Sequence, residues 1–379
     1  MDFKDLKVPR CKNYSGYKPC KPYYNCLENG CADEAGDMGT KILIISLDAL
    51  GNVLDNTPIL YAIKRKYPVS TVYWMTLPNA EKILVNNPYI DKLFLWNDES
   101  RMIARNIEYD VVMNADKSLY ACAFANEVKA KKKLGFLLND DGKIVPANES
   151  AMYSYIMGID DKKKFRENRR SGVDIIHEVF ELEYKRDRYV FNFSDEEKEF
   201  IESYKKSISY DGGIVYCGFN TGCSELFPNK KMTVEQHITL ITEILKNPNI
   251  VVMLLGGRED TERNNTIYNE FNAKDRKRII NTPSTEGIRR GACYMSVSDI
   301  VISGDSFGMH LAIALQKYII SWYGLSCWEE IELYDYGIKI FQKDLECSPC
   351  WKRVCPYDLE CIKMIDLNLI VDTVNKFKK

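Results

Sequence analysis

Ser303-Gly304-Asp305-Ser306-Phe307-Gly308-Met309-His310 lies between an apolar run, residues 299–303, and a second apolar segment, residues 311–315. A strand that ends in Gly-Asp-Ser-x-Gly and turns into a helix brings unpaired backbone N–H groups, a carboxylate and an imidazole to one point at the carboxyl edge of a sheet. That point suits an anionic ligand such as a nucleotide diphosphate. Asp305 reads alternatively as a helix N-cap and His310 as a core histidine. His310 is one of only three histidines and follows Ser306 by one helical turn, which favours the functional reading.

The segments on either side alternate short β-branched runs with helical patterns. Residues 41–47, 71–75, 92–96 and 110–114 read as strands, with helices over 53–66, 80–85 and around 121–131. After a charge-dense stretch at 160–170, read as a solvated loop, and a helix over 195–205, the alternation restarts. Strands are expected at 213–219, 250–255, 299–303 and 318–323, and helices at 233–245 and 287–295. This rhythm predicts an α/β protein of two doubly wound parallel sheets, Rossmann-like domains facing across a cleft that the post-strand loops line.

The chain of 379 residues is long enough for two cores. The expected divisions are a Cys-rich segment at 1–38, a first Rossmann-like domain at 39–206, a second at 207–345, and a cysteine finger with a carboxyl-terminal helix at 346–379. A formal net charge of −2 gives no global attraction to nucleic acid, and none is expected as a partner. No apolar stretch approaches the ~20 residues that span a bilayer, and residues 1–7 carry no apolar signal core. A cytoplasmic location is the expectation.

Two further post-strand loops carry ligand-binding residue types. Thr221-Gly222-Cys223-Ser224 offers small and hydroxyl residues for close approach to a phosphate, with Lys230 supplying a point charge. In Gly256-Gly257-Arg258-Glu259-Asp260, Gly257 permits close approach and Glu259 offers an acceptor for a ribose or base. The same loop reads equally as a glycine turn capped by acids ahead of a helix.

Thirteen cysteines are distributed unevenly. Cys347-x2-Cys350-x4-Cys355-x5-Cys361 has the density of a four-thiolate site for tetrahedral zinc or iron, a structural metal that fastens the tail. Cys11-x8-Cys20-x5-Cys26-x4-Cys31 is looser. It reads either as a second metal site or as reduced, unpaired thiols.

The motifs in this order resemble glycosyltransferase family 9, typified by the ADP-heptose:lipopolysaccharide heptosyltransferases. The resemblance runs from residue 41 to 365, through the Gly51-centred loop, Thr57-Pro58, the 221–230 loop, Gly256-Gly257 and the Asp305–Leu315 segment. It implies a GT-B fold and inverting transfer of a sugar, most simply heptose from ADP-heptose, without a catalytic metal. The acceptor would be a hydroxyl of a lipopolysaccharide, a surface glycan or a protein. It implies a donor site built from Thr221, Gly222, Cys223, Ser224, Lys230, Gly257, Glu259, Asp305, Ser306, Gly308, Met309 and His310. The carboxyl-terminal cysteines resemble the iron-binding finger of family members that modify autotransporters. Work at the inner face of the cytoplasmic membrane and a homo-oligomeric state are compatible with this family.

One position departs from the family. Its first loop reads Gly-Asp, with the Asp as general base, whereas this chain has Gly51-Asn52. An amide cannot accept the proton. Asp48, in the same loop, is the preferred replacement. Asp55, one turn into the helix, reads more simply as a cap or a solvated face. The alternative is a protein that keeps nucleotide-sugar binding and has reduced or lost its chemistry.

Overall fold

The computed structural model describes residues 6–31 and 36–379. Residues 1–5 and 32–35, parts of the amino-terminal segment, lie outside the described residues.

The chain divides into two compact units that interleave in sequence. The first comprises Met1–Asp48, Pro58–Ile156 and Asp174–Asp187, and the second Ala49–Thr57, Met157–Val173 and Arg188–Lys379. The sequence suggested one boundary, 206/207, between the two Rossmann-like domains, and the chain passes between the two units five times, the last time between Asp187 and Arg188.

In the first unit, β1 (Thr40–Ile45), β2 (Ser70–Thr76), β3 (Lys92–Leu95), β4 (Tyr109–Asn114), β5 (Ala130–Leu138) and β6 (Ile144–Pro146) form one sheet in the order β3-β2-β1-β4-β5-β6. All neighbours are parallel except β6, which runs antiparallel to β5 (Leu137↔Val145). Every residue of β2 is buried, as a strand covered on both faces must be. The expected helix around 121–131 is shorter, Leu119–Glu127, because Ala130 already opens β5. Pairing with β4 (Val111↔Lys132) overrides the helical preference of Lys131, Lys132 and Lys133.

In the second unit, β7 (Val215–Asn220), β8 (Ile250–Leu255), β9 (Ile279–Asn281), β10 (Ile300–Gly304), β11 (Tyr318–Tyr323) and β12 (Gly337–Phe341) are all parallel, in the order β12-β11-β10-β7-β8-β9. Numbered within each unit, both sheets read 3-2-1-4-5-6. The strand order therefore reverses between β1 and β4 in one unit and between β7 and β10 in the other, and the crevice at a reversal is where doubly wound sheets bind ligands.

The helix expected over 53–66 is two helices, Leu50–Asp55 and Ile59–Lys66. Pro58 disfavours helical backbone at Thr57, whose hydroxyl donates to the Leu54 carbonyl at 2.6 Å and closes the first helix. The first helix packs in the second unit and the second in the first unit.

The carboxyl-terminal helix Leu367–Lys376 buries Ile370 and Val374 in the second unit's core with Leu240 and Ile244. Ile362, between the finger and this helix, is fully buried, and sealing such a side chain from water contributes about 1.5–3 kcal/mol. The tail is thus core rather than an appendage. The charge-dense stretch is likewise ordered: Lys163–Glu167 forms a short π-helical turn, and Arg166 donates to the carbonyls of Ser348 (3.0 Å) and Glu346.

Candidate functional site

At the reversal of the second sheet, the loops after β7 and β10 are tied together by Asn220. Its amide donates to the Ser303 and Ser306 hydroxyls, both at 2.9 Å. Gly308 is required by this amide, because a Cβ there would stand 2.4 Å from Asn220 Oδ1. Ser306, not Asp305, holds the N-cap position of the helix Phe307–Ala314.

Asp305 is left to meet Lys230. The Lys230 ammonium lies 2.6 Å from Asp305 Oδ2, each side chain being 13% exposed. Trp322 Nε1 donates to the Lys230 carbonyl at 3.0 Å, which fixes the short turn Pro228–Lys230 that carries the lysine. Burial pushes the Asp305 carboxyl up, but the Lys230 ammonium and the His310 ring outweigh it and hold the group below the usual carboxylate range. A partly buried cation, hydrogen-bonded to a single carboxylate at a helix start, can take a diphosphate oxygen as a further partner.

His310 is buried, and burial pushes its imidazole down to about 4, so the ring is neutral at pH 7. Its Nδ1 lies 3.3 Å from the Tyr189 hydroxyl, which in turn donates to Asp55 Oδ1. On its other side the ring lies against Gly51, where a Cβ would stand 2.8 Å from Cδ2. Asp55 is therefore neither a cap nor a solvated surface acid. Burial pushes its carboxyl up to about 7 against the hydrogen bond from Tyr189, and the charges of Glu330 and Asp305 add to the rise. Its second oxygen, Oδ2, faces Gly172, where a Cβ would lie 3.1 Å away. Asn52, one turn earlier in the same helix, is exposed.

Other expected donor residues serve the loops' own structure. Thr221 is buried and donates to Asn264 Oδ1 at 2.5 Å. Gly222 lies against Asp260, with a Cβ falling 1.9 Å from Oδ2. Asp260 accepts from the Gly257 N–H at 3.0 Å and from Lys231 at 3.3 Å, so the acid-capped turn describes that loop. Glu259 is exposed, with its carboxylate folded over Gly257. Cys223 donates to the Phe227 carbonyl at 3.1 Å, and burial pushes its thiol up. Ser224 is exposed and accepts from the Leu226 N–H at 3.3 Å. Met309 is buried, and its sulfur accepts from the Tyr323 hydroxyl at 3.3 Å.

Asp48 belongs to the first unit and is exposed at that sheet's reversal. There Asp116, in the loop after β4, accepts from the Leu47 N–H at 2.6 Å. Burial pushes its carboxyl up to about 7 against that hydrogen bond, and the neighbouring charge of Asp48 adds to the rise. Sequence reading passed over Asp116 and Tyr189. Asp116 at least follows an expected strand, 110–114, whereas Tyr189 lies in a stretch with no motif.

The carboxyl-terminal thiols gather without closing. Burial pushes the Cys361 thiol up to about 11, and the nearby Cys350, Cys347 and Cys355 add to the rise. A Cβ on Gly324 would meet the Cys361 sulfur at 2.9 Å. At the amino terminus, Cys31 Sγ lies 3.4 Å from Cys11 Sγ. Among the described residues, no three of His, Cys, Asp or Glu stand in metal-ligand geometry, and no helix is long and apolar enough to cross a membrane.

A profile of glycosyltransferase family 9 (heptosyltransferase) matches residues 102–360. The chain is 24% identical over 303 residues to lipopolysaccharide heptosyltransferase 1 of Campylobacter coli, covering 75% of this chain and 84% of the relative. The fold is similar to that of the E. coli ADP-heptose lipopolysaccharide heptosyltransferase II (TM-score 0.66, 16% identity, 89% of this chain and 98% of that one). It is also similar to the dodecameric iron-containing heptosyltransferase TibC in complex with ADP-D-β-D-heptose (TM-score 0.51, 11% identity, 89% and 76%).

Proposed function

This chain belongs to glycosyltransferase family 9, and from that premise we propose that it transfers heptose from ADP-heptose to a hydroxyl of a lipopolysaccharide, surface glycan or protein, with Asp55 as general base. The observation that carries the reading is the Lys230–Asp305 pair at the reversal of the second sheet, in the same compact unit as the Asp55–Tyr189–His310 chain. Lys230 and the N–H groups of the helix start meet the diphosphate and stabilise the charge it gains on leaving. The acceptor oxygen forms its bond to the anomeric carbon as the bond to the diphosphate breaks, and its proton passes to a carboxylate. The ADP names carried by heptosyltransferase II and TibC support the choice of donor.

Asp55 takes precedence over Asp48 because of its surroundings. A general base works best with a pKa near the operating pH, and burial has brought the Asp55 carboxyl to about 7. The Tyr189 hydroxyl is spent on Oδ1, and Oδ2 faces a glycine. With Asp55 supplying the base, Asn52 does not require the protein to have lost its chemistry.

Cys347, Cys350, Cys355 and Cys361 would hold one structural iron or zinc. The shared electrostatic neighbourhood of these thiols supports the reading, as does the iron named for TibC. The metal would supply folding energy by drawing the 347–361 segment together. Cys11 and Cys31, with Cys20 and Cys26, form the weaker candidate for a second metal. A cytoplasmic site of action, at the membrane's inner face and in a homo-oligomer, completes the reading.

Transfer from ADP-heptose is tested with the anaerobically purified protein and the Asp55→Asn, Asp48→Asn and Asn52→Asp variants. Loss of turnover with Asp55→Asn alone supports this assignment. Loss with Asp48→Asn alone returns the base to the loop. A strong gain with Asn52→Asp marks the natural protein as impaired.

A further inference from the structure

The four-cysteine segment reaches the donor loop through one residue that the assignments above leave unused. Cys350 and Trp351 both donate their N–H to the Leu325 carbonyl, at 3.0 and 2.9 Å, and the Ser348 hydroxyl donates to Gly324 at 2.6 Å. The segment is thereby fixed to the loop after β11. From the donor side, Asn229 donates to the Lys352 carbonyl at 3.0 Å. Between these anchors Trp351 adopts φ 52°, in the left-handed region that bulky residues rarely enter and that only over-determined surroundings maintain.

The indole held there meets Phe227 edge-on, with centroids 5.3 Å apart. The Lys230 ammonium lies 4.5 Å from its centroid, and the Lys164 ammonium lies 5.3 Å from it. We infer that Trp351 is a positioning residue of the nucleotide-sugar site, the ring that holds the Lys230 ammonium in place for the donor's diphosphate. A tryptophan face attracts a cation through its quadrupole without carrying a charge. It therefore restrains the flexible lysine stem while leaving the full positive charge available, which a second carboxylate beside Asp305 would not do. A lysine already confined loses less freedom when the diphosphate arrives. The π-helical turn joins the same device, since Arg166 braces Ser348 and Lys164 approaches the ring.

This inference rests on the donor-site reading above, and one calorimetric series with ADP separates the two. Wild type is compared with Lys230→Ala, Trp351→Phe and Trp351→Leu, and donor KM and kcat are measured for each. Lys230→Ala and Trp351→Leu are expected to weaken ADP binding on the order of tenfold, with Trp351→Phe within about threefold of wild type, because phenylalanine keeps a π face. In the Trp351 variants the change should appear chiefly in KM, whereas Lys230→Ala should lower kcat as well, because it removes the charge that stabilises the leaving diphosphate. If Trp351→Leu does not fold, Trp351→Met supplies a ringless side chain of comparable bulk. Equal ADP affinity of the ringless and Phe variants, with Lys230→Ala weakened, overturns the role of Trp351 and leaves the donor site standing. Unchanged ADP affinity in Lys230→Ala overturns both.

Discussion

The two sheets share a strand order and differ in what they hang from the same place. At the reversal between β7 and β10, the loops carry Lys230 paired with Asp305 and stitched by Asn220. At the reversal between β1 and β4, they carry Asp48 and Asp116, the latter held by a backbone N–H and pushed up to about 7 by burial. Topology supplies a crevice twice, and a few loop residues decide its sign. The crevice that holds Lys230 can meet a diphosphate, whereas the other presents two carboxylates.

The largest expected effect tests which unit supplies the base. Asp55→Asn should lower kcat by roughly 10²–10⁴ while ADP affinity stays near wild type, and Asp116→Asn should cost less than about tenfold. Steady-state rates with both variants decide this, and the reverse ranking would place the proton acceptor at the acidic crevice. Next in size, Lys230→Ala should weaken ADP on the order of tenfold, as loss of a charge-assisted contact does, whereas Lys117→Ala in the first unit should leave it unchanged. Calorimetry with ADP reads both.

Proton affinities sharpen the comparison further. With Asp55 as base, turnover should rise with pH through about 7, since only the ionised carboxylate accepts a proton. Tyr189→Phe removes a hydrogen bond that lowers this pKa, so the limb of the pH–rate profile should move upward. The smallest effect concerns stability at the acidic crevice. The folded state keeps a proton on Asp116 up to about pH 7, while the unfolded chain releases it near the ordinary aspartate value of 3.8. Stability present at acid pH is therefore lost as pH rises through about 7. Between about pH 5 and 8 the wild-type melting temperature should fall by a few degrees more than that of Asp116→Asn, as scanning calorimetry would show.

Most of the β framework was legible because parallel strands buried on both faces read as short apolar runs, β1 and β10 most plainly. The strands that escaped were β5, whose lysine-bearing first half pairs with β4 and whose β6 partner begins only at Phe136, the short β6 and β9, and β12, which lies at an edge. The Lys230–Asp305 pairing joins two loops far apart in sequence, yet both followed strands, so reading the loops was enough to nominate them. Asp55 was misjudged for a physical reason. Helical spacing shows which side a residue faces, but the burial of Asp55 comes from Tyr189 and Gly172, distant segments without a motif. Trp351 was hidden in the same way, because the cysteines around it drew attention to sulfur rather than to the ring between them.

The interleaving of the units carries a consequence for synthesis. The helix Leu50–Asp55 is made early, but the strands and His310 with which it forms a unit emerge much later, so the second unit cannot finish until nearly the whole chain has left the ribosome. Separate expression of the two halves, cut at 206/207, would strand Asp55 on one fragment and Tyr189 with it, while His310 and Lys230 went with the other. Activity regained on mixing such halves would report reassembly of a unit that no contiguous stretch of the gene encodes.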